Sequence, residues 1–260
     1  SDRGWLSRRV FLDTEEGQVG AATVISRDVQ GRVVREQSLS PTDEPMMNTE
    51  GWSTKRLDYD AVGRLISEGY AGTDEHSTTR QIMRKRYGVG GRVVARRWLD
   101  AKGAVALGPE GWAVERLTYD ARGRLVGRVF FDTSETPGIA GQARSAERHV
   151  RDRMGRLLER RAMASSDTLV DGFGASKRRW AIERQRFDTR GRRTSLSIFD
   201  VEDRPTVRDD GLHRVAWSWN ERGQLVVQER FVAPGQGAPG GWARQEHRYD
   251  RFGRLSAIHY

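Results

Sequence analysis

Eight copies of one short motif run through this 260-residue sequence. The motif is an aromatic residue, Asp, two variable residues, Gly, Arg and an apolar residue, and it is clearest at 59–65, 119–125 and 249–255. Looser copies centre on Gly31, Gly91, Gly155, Gly191 and Gly223, so that successive motif glycines lie about 32 residues apart. A regular period along the whole chain predicts a tandem array of one supersecondary unit.

Each motif predicts a β-hairpin. The Asp side chain can bond to backbone two residues on, and Gly takes a positive φ, so Asp-x-x-Gly is typical of a four-residue connection between antiparallel strands. The flanking segments are rich in β-branched and aromatic residues. All seven prolines fall in the second connections, between one hairpin and the next, as expected because proline is excluded from strand interiors.

This loop assignment also predicts which residues lie opposite each other. The aromatic residue would pair with the motif arginine, as in Tyr59 with Arg64, Tyr119 with Arg124 and Tyr249 with Arg254. Further from the loop, five arginines would form one column facing mostly small residues. The column comprises Arg56, Arg84, Arg116, Arg148 and Arg184, opposite Ser67, Ala95, Gly127, Glu159 and Ser195.

Tandem Tyr-Asp-x-x-Gly-Arg-Leu resembles the YD, or RHS, repeat family from about Gly4 to the C-terminus. The period is longer than that of the family, whose repeats are in the low twenties, and Gly-Trp pairs precede several hairpins. The resemblance implies one of two roles for the repeats. They form β-sheets that spiral into hollow shells around a toxin, or they form part of large ligand-binding proteins of the cell surface. Cell-wall choline-binding repeats are a second, weaker resemblance, since they are shorter and more aromatic.

We therefore predict an all-β fold in which residues 1–260 form a single domain of about eight hairpin repeats. The expected architecture is a continuous twisted or coiled sheet, solenoid-like or shell-like, because apolar residues make up only 36% of the chain and favour a thin wall. The alternative is β-propeller-like closure, since the tryptophans at 52, 112, 180 and 242 recur at nearly double the period.

The sequence favours a protein without catalytic, metal or cofactor sites. It has no cysteine, its five histidines lack metal-ligand spacing, and it has no nucleophile elbow or dinucleotide fingerprint. A glycan-processing enzyme is a further alternative, because a carboxylate pair could come from the second connections. The carboxylates in question are Asp167, Asp171, Glu202, Asp203, Asp209 and Asp210.

Charge points to an anionic partner. The net charge is +9, the isoelectric point is near 10.4, and only four of the 45 basic residues are lysines. A column of arginines and tryptophans at regular pitch suits a polymer, with rings stacking on sugars or bases and guanidinium groups neutralising acids. Alternatively, the tryptophans are core residues. The candidate ligand-binding residues are Trp52, Trp112, Trp180, Trp242, Arg56, Arg84, Arg116, Arg148 and Arg184.

The function expected from the sequence is that of a non-enzymatic binding or structural scaffold. Its partner would be an anionic polymer, such as an acidic glycan or cell-envelope component, or another protein, with nucleic acid as a variant. The RHS resemblance implies a secreted or periplasmic bacterial protein, and a toxin shell or delivery segment as the alternative. No apolar run is long enough for a transmembrane segment.

Overall fold

A computed structural model describes residues 6–12, 19–73, 81–164, 168–173, 180–208, 210–232 and 243–260. Within these ranges the regular secondary structure consists of β-strands joined by turns and loops, and no helix there has the length and apolarity needed to cross a membrane. The described strands are β1 Leu6–Leu12, β2 Val19–Arg27, β3 Val33–Leu39, β4 Thr54–Tyr59, β5 Leu65–Ala71, β6 Gln81–Tyr87, β7 Val93–Leu99, β8 Val114–Tyr119, β9 Leu125–Phe131, β10 Ala146–Arg151, β11 Leu157–Met163, β12 Ile182–Phe187, β13 Arg193–Phe199, β14 Leu212–Trp219, β15 Leu225–Val232, β16 Arg244–Tyr249 and β17 Leu255–His259.

The chain divides into two compact units, Ser1–Arg116 with Phe131–Thr136 and Leu117–Phe130 with Pro137–Tyr260. In the first unit, strands pair antiparallel in chain order from β1 to the start of β8. In the second unit, the same order runs from β9 to β17. The predicted all-β array of antiparallel hairpins is confirmed, whereas the single domain over residues 1–260 stays a prediction.

Pairing continues between hairpins as well as within them. In the first unit β3 is bonded to β4, β5 to β6, and β7 to β8. A propeller of four-stranded blades would interrupt the ladder after every fourth strand. The described part of each unit has no such interruption, so the structure does not support the propeller alternative.

All eight motif corners are chain reversals, but their loops are one residue shorter than predicted. At the second corner, the Asp60 N–H donates to the Arg64 carbonyl at 2.9 Å, and the Gly63 N–H donates to the Asp60 carbonyl at 3.0 Å. Asp and Arg therefore close a three-residue loop, with Gly63 at φ 85° completing a glycine bulge. The side chain of Asp60 accepts from the Arg64 N–H at 2.8 Å and from Arg64 Nε at 2.6 Å.

The shorter loop and a bulge beside it correct the predicted register. Tyr59 lies opposite Leu65 rather than Arg64, and Arg84 lies opposite Arg97 rather than Ala95. The observed partner of Arg84 lies two residues further along the opposite strand than the predicted partner. Because side chains alternate between the faces of a strand, a shift of two leaves the predicted arginines and small residues on one face.

The motif arginine binds the next repeat instead of its own tyrosine. The guanidinium carbon of Arg32 lies 4.8 Å from the ring centroid of Tyr59, whose hydroxyl donates to the Val33 carbonyl at 2.9 Å. Arg64 over Tyr87 repeats this contact at 4.7 Å. The predicted arginine–tyrosine pairs within hairpins are therefore wrong at these positions, and the contacts connect successive hairpins.

The second connections position an aromatic cluster in the first unit. Residues 100–103 form a further Asp-x-x-Gly reversal, after which Val105 bridges back to Leu99. The described prolines all lie outside the strands, while Pro234 and Pro239 fall outside the described residues. Centroids of successive rings are 6.1–6.3 Å apart along Trp52, Tyr70, Trp98 and Trp112.

Candidate functional site

Four arginines gather on one face of the first unit, around Ala95. Arg86, Ala95 and Arg116 are neighbours across β6, β7 and β8, and Arg84, Arg97 and Val114 form the adjacent row. Strands lie about 4.8 Å apart and alternate residues about 6.8 Å apart, so the backbone positions span roughly 10 by 7 Å. We call this cluster of Arg84, Arg86, Arg97 and Arg116 the arginine groove.

The groove is an open depression of about 470 Å³. Its floor contains small and aliphatic side chains, among them Ala95, Leu99, Val105 and Val114. Small floor residues leave room for long arginine stems to lie along the surface with their charged groups exposed. The volume falls within the range of ordinary ligand sites, although the groove is shallow and polar.

Few carboxylates neutralise this cluster. Glu135 lies 3.1 Å from Arg116 Nη2 and 3.6 Å from Arg97 Nη2. Arg84 and Arg86 form no ion pair with any carboxylate in the described part of the chain. Within the described residues, one exposed carboxylate thus pairs with two of the four cations, an arrangement that attracts a ligand with several negative charges.

The opposite face of the same strands uses its charges internally. Glu115 is only 1% exposed and lies 3.3 Å from Arg96 Nη1. Glu68 binds Lys85 and lies 3.8 Å from Lys55. Burial tends to raise the pKa of Glu68, but its bonds with Lys85 and Tyr70 outweigh burial and lower the pKa. Cations on this face are therefore structural, whereas those of the arginine groove face solvent.

A comparable internal cluster surrounds Glu147 in the second unit. Glu147 lies 2.8 Å from Arg128 Nη2 and 3.4 Å from His149 Nε2, and it also binds Arg144. Its side chain has no exposed area. Burial raises the pKa of this carboxyl, but the bond with His149 and the charges of Arg128 and Arg144 outweigh it and lower the pKa to about 2.

Acid is expected to destabilise the fold over a defined pH range. The folded-state pKa of Glu147 lies below its unfolded value near 4.5, so its stabilisation is present above pH 4.5 and is lost as the pH falls towards 2. The pKa of the turn aspartate Asp60 is also lowered, chiefly by the backbone N–H of Arg64, so Asp60 adds to the loss. Urea unfolding between pH 6 and pH 2 measures this, and Glu147→Gln should flatten the fall. An unchanged pH dependence in that variant would contradict the assignment.

The predicted arginines are mostly exposed. Arg56, Arg84, Arg116 and Arg148 are exposed, whereas Arg184 is half-buried and binds Glu159 and Asp203. The structure brings Arg84 and Arg116 together in one groove. Arg86 and Arg97 were not among the predicted residues, although Arg86 follows Arg84 by two residues and so had to share its face.

The predicted tryptophans lie mainly in the core. Trp52 and Trp112 are 9% and 3% exposed, and their indole N–H groups donate to Glu50 and Glu110. Trp180 is half-buried against Phe173, with ring centroids 6.3 Å apart, and Trp242 lies outside the described residues. These positions suit core packing, and a role in ligand binding stays a prediction.

Three of the loop carboxylates assigned to the enzyme alternative have charged neighbours among the described residues. Asp203 binds Arg184, and Asp210 binds Arg208 at 2.5 Å. The pKa of Asp171 is raised by burial and by the charges of Asp200 and Glu202. Asp167 and Asp209 lie outside the described residues. Across the part that the structure describes, His, Asp and Glu side chains form no metal-binding group.

Comparison with known proteins gives only distant structural similarity. No family model matches the sequence, and no curated protein matches it. The chain is similar to a crystal structure of TcdB2-TccC3-TEV, with a TM-score of 0.36 and 15% identity over 96% of this chain. It is also similar to a Photorhabdus luminescens Tc holotoxin pore with a TccC3 mutation, with a TM-score of 0.34 and 14% identity over 96% of this chain.

The chain spans only 15% and 14% of the lengths of those two chains. At these scores and identities, the similarity assigns neither a family nor a function. The YD/RHS resemblance therefore stays a prediction carried by the sequence motif, while the antiparallel hairpins themselves are established by the strand pairing.

Proposed function

We propose that this chain is a non-enzymatic, exported β-hairpin scaffold that binds an anionic polymer, such as an acidic glycan of the cell envelope. The observation that carries the proposal is the arginine groove, where Arg84 and Arg86 have no carboxylate partner among the described residues. Holding several like charges together costs energy unless an anionic ligand or counterions offset it.

Arginine suits this role better than lysine would. Its planar guanidinium group donates two parallel hydrogen bonds to a carboxylate, sulfate or phosphate and releases bound water more easily. The guanidinium carbon of Arg116 lies 4.5 Å from the ring centroid of Phe131. Because this contact already restricts the Arg116 side chain, the side chain loses less conformational entropy when a ligand binds. The rows of arginines provide several points of attachment to a repeating anion.

The proposal predicts that reversing two groove charges abolishes most polymer binding. We expect Arg84→Glu combined with Arg86→Glu to weaken binding to dextran sulfate at least tenfold, measured by calorimetry at low salt. The matched control is Arg153→Glu combined with Arg222→Glu, which reverses two exposed corner arginines and changes net charge equally. We expect the control to change affinity less than threefold.

Three outcomes would overturn this assignment. Equal losses in both double variants would mean that net charge, not the groove, governs binding. Tighter binding to DNA than to sulfated glycan at matched charge would favour nucleic acid. No binding by the wild-type chain at low salt would reject the anionic polymer and favour a protein partner. Circular dichroism of each variant checks that the fold is retained.

A shell segment of an RHS-like toxin is the second candidate. The observation that favours it is the uninterrupted pairing between successive hairpins in each unit, which a continuous wall needs. The test is to express a longer native chain, where one exists, and ask whether the repeats protect a separate C-terminal domain from protease. Protection favours the shell, and rapid cleavage of that domain favours the binding scaffold.

A further inference from the structure

A second groove, in the Leu117–Phe130 and Pro137–Tyr260 unit, has a different floor from that of the arginine groove. It is an open depression of about 570 Å³ between β12, β13 and β14. Ser195 and Ser197 of β13 lie on its floor, flanked by Arg186 on β12 and Arg214 on β14. We call these four residues the serine groove.

Strand pairing places the four residues diagonally. Ser195 is the cross-strand partner of Arg186, and Ser197 is the partner of Arg214. Because neighbouring strands lie about 4.8 Å apart, each serine has an arginine as its cross-strand neighbour, Arg186 on one side of β13 and Arg214 on the other. Ser195 and Ala95 are equivalent positions, since each lies four residues after its motif glycine. The serine groove therefore has a hydroxyl where the arginine groove has a methyl group.

The polar groups of the serine groove have few partners in the protein. Neither serine hydroxyl forms a hydrogen bond within the described ranges, and Arg186 forms no ion pair there. The guanidinium carbon of Arg214 lies 4.3 Å from the ring centroid of Phe231 on β15, a contact that leaves the charge of Arg214 without a carboxylate among the described residues. By contrast, Arg184 at the edge of the groove already binds Glu159 and Asp203.

We propose that the serine groove binds the sulfate or phosphate ester groups of an acidic glycan in preference to carboxylates. A sulfate or phosphate ester carries three terminal oxygens in a tetrahedral arrangement, so it can accept bonds from two guanidinium groups and two hydroxyls together. A carboxylate has two oxygens in one plane, and a single arginine satisfies both. This inference rests on the proposed function and adds selectivity for the type of anion.

The test uses polymers that share one backbone. Dextran sulfate, dextran phosphate and carboxymethyl dextran of matched length and charge density differ only in the anionic group, and neutral dextran is the blank. We expect the wild-type chain to prefer either ester polymer over carboxymethyl dextran by about tenfold, since each lost bond to a charged group reduces affinity severalfold. The two ester arms distinguish sulfate from phosphate.

Removing the two serine hydroxyls should remove the preference for ester polymers without changing the net charge of the protein. We expect Ser195→Ala combined with Ser197→Ala to reduce the preference to less than threefold, with carboxymethyl dextran binding nearly unchanged. The control is Ser218→Ala, on the exposed part of β14 away from the groove, which should keep the preference. A calorimetric melt confirms that both variants fold.

The outcomes separate the two proposals. If the wild-type chain binds all three charged polymers equally, or if the double alanine variant keeps the preference, the serine groove is not selective and the inference is wrong while the scaffold proposal stands. If none of the charged polymers binds, both proposals are wrong.

Discussion

Replacing Glu147 with alanine is expected to lower the free energy of unfolding by about 3 kcal/mol or more. The side chain is fully buried and is the carboxylate that Arg128, Arg144 and His149 share. Removing one member of a buried ionic cluster leaves the remaining charges without compensation, which costs more than the cluster itself contributes. Urea unfolding followed by tryptophan fluorescence measures the change.

Two variants separate burial from charge in this prediction. Glu147→Gln keeps the shape and one acceptor oxygen but removes the charge, so we expect a smaller loss than for alanine. Glu246→Ala removes an exposed carboxylate 2.9 Å from Arg244, and exposed pairs contribute only about 0–1 kcal/mol. A Glu147→Ala variant no less stable than Glu246→Ala would show that the cluster does not stabilise the fold.

Replacing Trp112 with alanine is expected to cost about 3–5 kcal/mol. The ring is 3% exposed and its centroid lies 6.1 Å from that of Trp98, so truncation leaves a large cavity beside a second tryptophan. Thermal and urea unfolding measure the loss. If Trp112 only stacked on a ligand and did not pack in the core, its replacement with alanine would change the free energy of unfolding little.

The controls for Trp112 distinguish packing from its polar contact. Glu110→Ala removes the acceptor that lies 2.9 Å from the indole nitrogen but keeps the ring, so we expect a loss of about 1 kcal/mol. Phe252→Ala removes a ring that is 68% exposed and should change stability by less than about 0.5 kcal/mol. Similar values for Trp112 and Phe252 would contradict the core assignment.

The hairpin corners were predictable because their chemistry is local. Asp60 and Gly63 have roles set by the four or five residues around them, namely side-chain capping of the turn and a positive φ. The sequence distinguishes less well between a four-residue loop and a three-residue loop with a bulge, since both place Gly before the returning strand. Because of that difference in register, the cross-strand partner of Arg84 is Arg97 and not the predicted Ala95.

Contacts between repeats were harder to predict than contacts within them. Arg32 reaches Tyr59 of the following repeat, 27 residues away, and only the pairing of β3 with β4 brings them together. Likewise, Glu115 and Glu147 look like exposed strand residues in the sequence, because charged residues are usually exposed. No signal in the sequence marks these two glutamates as buried, so their burial followed only from the structure.

The arginine groove was partly predictable for the same reason. Alternation along β6 places Arg84 and Arg86 on one face from the sequence alone. Adding Arg97 and Arg116 to them requires the correct register of β7, and judging which cations remain without carboxylates requires the position of Glu135 in a second connection.

Titration of dextran sulfate into the wild-type chain at 50 and 200 mM salt tests the central claim most directly. Several arginine contacts to a charged polymer release counterions, so the affinity should fall at least tenfold between the two conditions, and neutral dextran should not bind. Affinity that is the same at both salt concentrations, or binding to neutral dextran as tight as to dextran sulfate, would contradict an anion-binding scaffold.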